Sequence, residues 1–182
     1  MSLSRWILNT AGWRVQVTVP DYDKCLICVA PHTSNWDFVL CKLAYASVGR
    51  HAGFLMKSTW FFPPLGWIFK AMGGVPVHRG KGGPSLTAIL IDKFKNTPGH
   101  LQIAITPEGT RSRNADWKTG FLHIAHDAGV PIVLAVLDYG KKRITADATF
   151  TTSGDTAADM AAIKDYYRQM APVAKFPQNF AL

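Results

Sequence analysis

Short apolar runs alternate with longer stretches of helical period along the chain, the pattern of strands and helices following one another. An amphipathic opening helix is predicted from Ser2 to Thr10, and Trp13, Val15, Val17 and Val19 then alternate with polar residues as in a half-exposed strand. Leu26–Ala30 reads as a buried strand stopped by Pro31, and a helix follows from about Trp36 to Val48 with Ser34 or Asn35 as its cap. Further strands are expected at Ala52–Met56, Val75–His78, Leu101–Ile105 and Ile132–Leu137, the last strand with a clear pattern. Between them lie an aromatic, broken helix over TWFFPPLGWIFKAMGG (59–74), a helix opened by Pro84 and running to about Asn96, and one from about Gly120 to Ala128 ended by Gly129. A loop fills Thr106–Trp117, and a last helix spans Ala157–Met170. The alternation predicts an α/β sandwich, a largely parallel or mixed β-sheet covered by helices. With no internal repeat and no linker in its 182 residues, the chain reads as one domain, 1–182.

Composition narrows this picture. Hydrophobic residues make up 48% and charged residues 18%, which excludes a disordered chain. Twenty Lys and Arg against twelve acidic residues leave a net charge of +8, so an anionic partner is expected: a phosphorylated substrate, an anionic bilayer or nucleic acid. The basic residues are dispersed and no nucleic-acid motif is recognisable, which sets nucleic acid aside. No run reaches the roughly 18 apolar residues of a membrane span, and the N-terminus does not read as a signal peptide. The expected location is the cytoplasm, with peripheral attachment to the cytoplasmic face of the membrane. Trp6, Ile7, Leu8 and the aromatic stretch 60–69 are the expected contacts, with their alternative being core packing. Three cysteines argue against a disulfide framework; Cys25 and Cys28, three apart on one strand, should point to opposite faces as buried residues.

Three polar clusters carry candidate chemistry. His32 leaves a strand and Asp37 falls in the first turn of the next helix, so an imidazole and a carboxylate meet at the carboxyl end of a strand, where open α/β sheets place their sites. A carboxylate there can hold the imidazole in one tautomer and stabilise the imidazolium once it has taken a proton. On spacing alone the pair is weak: about 0.4 such spacings are expected by chance from six histidines and the aspartates, and Asp37 reads equally as a helix-dipole residue. The second cluster, ITPEGTRSR at residues 105–113, holds Glu108, the sole glutamate of the chain, followed by Gly109, Thr110 and Arg111. Glycine lets a backbone bend close to a ligand, and hydroxyls beside a guanidinium suit a phosphate; a turn with a surface ion pair is the plainer alternative. The third, GGVPVHRGKGG at residues 73–83, sets Arg79 and Lys81 among glycines before a helix, an anion-binding arrangement that lacks the Walker A order. Lys57, after another strand, adds a cation at the same edge. Three clusters after three strands of one sheet agree better with one site than with separate accidents.

With these residues in place, the chain resembles the glycerolipid acyltransferases, the family that includes the 1-acyl-glycerol-3-phosphate acyltransferases. HTSNWD (32–37) is similar to its H-x-x-x-x-D motif, GGVPVHR (73–79) to its second motif with Arg79 in the arginine position, and TPEGTRS (106–112) to its F-P-E-G-T-R-S, with Thr106 replacing Phe. VPIVLA (130–135) resembles the fourth motif but carries Leu134 where a second proline is usual, and the match spans roughly residues 25–140. The resemblance implies that His32 acts as general base, oriented by Asp37, on a hydroxyl of 1-acyl-glycerol-3-phosphate. That oxygen would attack the thioester of acyl-CoA or acyl carrier protein directly, forming phosphatidic acid. It further implies that Arg79, Glu108, Gly109, Thr110 and Arg111, with Lys57 as a weaker addition, hold the acceptor's glycerol phosphate. No metal or redox cofactor is implied; the acyl thioester is a substrate. Another lysophospholipid, glycerol-3-phosphate or a lyso-aminolipid is the alternative acceptor, and a non-catalytic module on anionic lipid is the alternative of another class. A serine hydrolase is excluded for want of G-x-S-x-G.

Overall fold

Seven strands form one sheet in the computed structural model, which describes residues 2–77 and 85–182. In chain order the strands are β1 (Arg14–Val17), β2 (Lys24–Ala30), β3 (Gly53–Lys57), β4 (Gly74–Val77), β5 (Leu101–Ile105), β6 (Ile132–Asp138) and β7 (Arg143–Phe150). The helices are α1 (Leu3–Thr10), α2 (Asn35–Ser47), α3 (Leu65–Ala71), α4 (Leu86–Asn96), α5 (Gly120–Ala128) and α6 (Thr156–Met170). Across the sheet the order is β1-β7-β6-β2-β5-β3-β4. From β6 to β4 every pairing is parallel, whereas β7 runs antiparallel to β6 and β1 parallel to β7. The expected α/β sandwich with a mixed sheet is therefore the fold observed.

Strand β2 explains why the sheet needs cover on both faces. Leu26, Cys28 and Ala30 join the core shared with Leu90, Phe94, Phe121, Leu122, Ile163 and Tyr167 of α4, α5 and α6. Cys25, Ile27 and Val29 face the other way, against Cys41 and Tyr45 of α2. A strand buried on both faces has no polar alternation, which is why β2 reads as a continuous apolar run. The two cysteines sit on opposite faces as expected, and burial pushes both thiols up to about 12, so neither supplies a thiolate at neutral pH. Tyr167 is fully buried in α6, and its hydroxyl donates to the carbonyls of Cys28 and Ala135 at 2.8 and 3.3 Å, tying that helix to the central strands.

Several expectations shift. Helix α1 is the amphipathic helix expected, but its Leu8 is 1% exposed and packs among Trp13, Ala44, Leu137 and Ile144, so that residue is not a membrane contact. Leu3 and Trp6 remain exposed on its outer side. The aromatic stretch divides into a 3-10 turn at Ser58–Trp60 and α3; Phe61 packs against Phe69, while Trp60, Phe62, Trp67 and Ile68 face outward. Pro84 lies outside the described residues, and the cap of α4 is Ser85, whose side chain accepts from the Ala88 N–H. Strand β7 was not expected at all. Among the described residues no helix is long and apolar enough to cross a membrane.

Candidate active site

Because β6, β2, β5, β3 and β4 are parallel, their carboxyl ends share one edge, and the loops leaving them are neighbours in the order of the strands. Tyr139 follows β6, His32 follows β2, Glu108 follows β5 and Lys57 ends β3. Two of the sequence clusters, those of His32 and Glu108, thus follow adjacent strands, while the charged part of the third, residues 78–83, lies outside the described residues.

The turn after β2 builds the first pair. Ser34 caps α2, accepting from the Trp36 N–H at 3.2 Å, and Asp37 sits in the first helical turn. The Asp37 carboxylate reaches back so that Oδ2 accepts from the backbone N–H groups of Thr33 and Ser34, each at 2.7 Å. The same oxygen lies 3.4 Å from His32 Nδ1. Asp37 is therefore a helix-capping residue and the partner of the histidine at once. Its carboxyl is held below the ordinary 3.8: burial works against ionisation, but the bonds from His32, Tyr139, Ser34 and Thr33 outweigh it. With Nδ1 turned to the carboxylate, Nε2 is the nitrogen left to meet a substrate proton, on a ring that is partly exposed.

Glu108 braces this turn from the next strand. Its side chain is fully buried, and Oε1 accepts from the His32 backbone N–H at 2.6 Å. Oε2 has no hydrogen-bond partner among the described residues. Burial chiefly, with the Asp37 charge adding to it, pushes the Glu108 carboxyl up to about 8 despite the stabilising N–H of His32, so at pH 7 it is largely protonated. The backbone after it turns sharply: Gly109 has φ +67°, and the Glu108 carbonyl accepts from Asn114 Nδ2 at 2.8 Å. The positive φ is what calls for glycine at residue 109; a β-carbon there would stand 3.2 Å from Lys118 Cγ, an exposed side chain that would have to shift slightly. Thr110 and Arg111 are exposed, as is Lys57.

Of the residues expected to form the site, His32, Asp37 and Glu108 are brought into direct contact. Gly109, Thr110, Arg111 and Lys57 lie at the same edge with no hydrogen bond to His32 or Asp37 among the described residues, and Arg79 and Lys81 lie outside those residues. Glu108 meets the backbone of His32 rather than solvent. Sequence reasoning missed Tyr139, whose hydroxyl donates to Asp37 Oδ1 at 2.6 Å. It also missed the segment after α6, where the Phe176 N–H donates to Thr33 Oγ1 at 3.2 Å and Lys175 Nζ stands 5.3 Å from the Trp36 ring centre. A surface depression of about 630 Å³, lined by Asp23, Lys24, Phe94 and Lys95, opens at the opposite edge and takes no part.

The sequence profile of the acyltransferase family matches residues 14–137, a stretch that includes His32, Asp37 and Glu108. The chain belongs to the acyltransferase family. It is 32% identical over 190 residues to the human 1-acyl-sn-glycerol-3-phosphate acyltransferase beta, covering 91% of this chain and 67% of that protein. Bacterial 1-acyl-sn-glycerol-3-phosphate acyltransferases are similar too. That of Salmonella typhimurium is 31% identical over 116 residues, 59% of this chain and 44% of the relative. That of Haemophilus influenzae is 27% identical over 143 residues, 74% of this chain and 59% of the relative. The chain thus spans between about half and two thirds of these relatives' length.

Proposed function

We propose that the protein transfers a fatty acyl group from an acyl thioester, acyl-CoA or acyl carrier protein, to the free hydroxyl of 1-acyl-glycerol-3-phosphate, yielding phosphatidic acid. The observation that carries this reading is the His32–Asp37 pair, fixed at the carboxyl edge of the sheet by backbone N–H groups and by Glu108. Names of the relatives supply the acceptor.

His32 Nε2 takes the proton of the acceptor hydroxyl, and Asp37 stabilises the imidazolium at Nδ1. The oxygen attacks the thioester carbonyl carbon, the C–O bond forms, and the C–S bond breaks. The leaving thiolate recovers the proton from the imidazolium. Arg111, Lys57 and Arg79 are assigned to the acceptor phosphate, with Gly109 and Thr110 shaping the loop that presents Arg111. Glu108, neutral and buried, is assigned to holding His32 in place rather than to touching phosphate. The exposed Trp36, Trp60, Phe62 and Trp67, on a chain of net charge +8, support peripheral attachment to an anionic membrane on its cytoplasmic face.

Purified protein incubated with labelled acyl-CoA or acyl carrier protein and a panel of acceptors tests this reading. The panel holds 1-acyl-glycerol-3-phosphate, other lysophospholipids, glycerol-3-phosphate and a lyso-aminolipid. Turnover of 1-acyl-glycerol-3-phosphate that falls by about a thousandfold in His32→Ala is the expected result. Equal signals from wild type and His32→Ala with every acceptor would leave only a non-catalytic lipid-binding module.

A further inference from the structure

The hydrogen bonds around Asp37 divide unequally between its two oxygens. Oδ2 faces His32 Nδ1 at 3.4 Å and accepts from two backbone N–H groups of its own turn. Oδ1 accepts from Tyr139, which comes from the far end of another strand. Tyr139 is itself anchored at three points: its N–H donates to the Val173 carbonyl at 2.8 Å, its ring meets the Trp13 ring edge-on at 5.0 Å, and its hydroxyl ends on Asp37. Leaving a buried carboxylate oxygen without its donor costs the desolvation of that group, and the same carboxylate faces His32 through its other oxygen.

We propose that Tyr139 is a positioning residue for the acyl transfer, holding Asp37 Oδ1 so that Oδ2 alone faces His32 Nδ1. The residue lies just past the stretch matched by the family profile, directly after β6, the strand that flanks β2. It acts through Asp37 and touches neither substrate. Among the described residues the other titratable groups around the carboxylate are His32 on its own turn, Cys41 one helical turn on and Glu108 from the loop after β5, so the hydroxyl is the donor contributed from the loop after β6. This inference rests on the acyl-transfer reading for its kinetic consequence and on geometry alone for its structural one.

Tyr139→Phe removes one hydroxyl and keeps the ring against Trp13 and the N–H bond to Val173, so the fold is retained. Carbon-13 NMR of labelled aspartate, with Asp37→Asn identifying the signal, should show the Asp37 carboxyl titrating at higher pH in Tyr139→Phe than in wild type. In the acyl-transfer assay kcat should fall about ten- to a hundredfold with KM for both substrates unchanged. In a His32→Ala background the same substitution should cost nothing further. An unmoved Asp37 titration overturns the proposal, and so does an equal kcat loss with or without His32. If wild type turns over no acceptor, the acyl-transfer reading fails while the titration still decides whether Tyr139 holds the carboxylate.

Discussion

Glu108→Gln removes one titration from the protein and keeps an oxygen that can still accept from the His32 N–H. In the folded chain the Glu108 carboxyl holds its proton up to about pH 8, whereas the ordinary value, which the unfolded chain takes, is 4.5. Between those limits the folded state binds one more proton than the unfolded state, so stability falls as pH rises, by about 1.4 kcal/mol per pH unit. Over the whole window that reaches about 5 kcal/mol, a large part of the total stability of a domain this size. Glutamine carries no such proton, and the amide imposes a constant offset at most. Asp37 titrates below 3.8 and contributes no slope in this range, and every other group cancels in the difference between the two proteins. Urea unfolding of both at pH 5.5, 6.5 and 7.5 measures that difference directly. Wild type should lose about 3 kcal/mol relative to Glu108→Gln between the first and last pH. A difference that stays level, or one in which wild type gains with pH, refutes the assignment of a neutral buried carboxyl. Glu108→Gln should also retain acyl-transfer activity within about tenfold, since the protonated acid and the amide offer His32 the same acceptor.

Other substitutions separate the remaining roles. Gly109→Ala forces a side chain into a left-handed backbone position beside Lys118 and should lower stability by about 1–2 kcal/mol in thermal unfolding. Tyr167→Phe leaves the carbonyls of Cys28 and Ala135 without the buried hydroxyl and should lower stability by about 1 kcal/mol, with acyl-transfer kcat unchanged. Arg111→Ala should raise KM for a phosphate-bearing acceptor about tenfold while leaving KM for the acyl donor alone, as steady-state kinetics would show. Replacing Trp60 and Trp67 together by alanine should weaken sedimentation with anionic vesicles and leave turnover of detergent-dispersed substrate intact.

Much of the sheet was legible because its central strands are buried on both faces and stand out as apolar runs. Leu101–Ile105 and Gly120–Ala128 fall on the predicted bounds. Strand β7 was missed because Thr, Ala and Asp make it weakly apolar, because Ile144, Thr145 and Ala146 are buried in succession, and because a register shift at Asp147, opposite Leu134 and Ala135, interrupts the pattern after them. At the site, His32 and Asp37 were recognisable because a turn carries both, and Glu108 because the chain has no other glutamate. The direction of the Glu108 carboxyl was not legible, since its contact with His32 crosses 76 residues. Tyr139 and the stretch around Phe176 gave no local signal: they reach Asp37 and Thr33 across 102 and 143 residues, and only the sheet order brings them there.

The pairing of β1 with β7 has a consequence for the order of events during synthesis. Arg14 finds its partner in Arg143, so β1 waits during synthesis for a strand far along the chain. At about 5–20 residues per second that delay is roughly 6–26 s. For that interval α1 has no finished sheet to pack on, and Leu8, buried in the completed protein, is uncovered beside Leu3 and Trp6. Closing β7, which brings Ile144 against Leu8, then withdraws that side chain into the core.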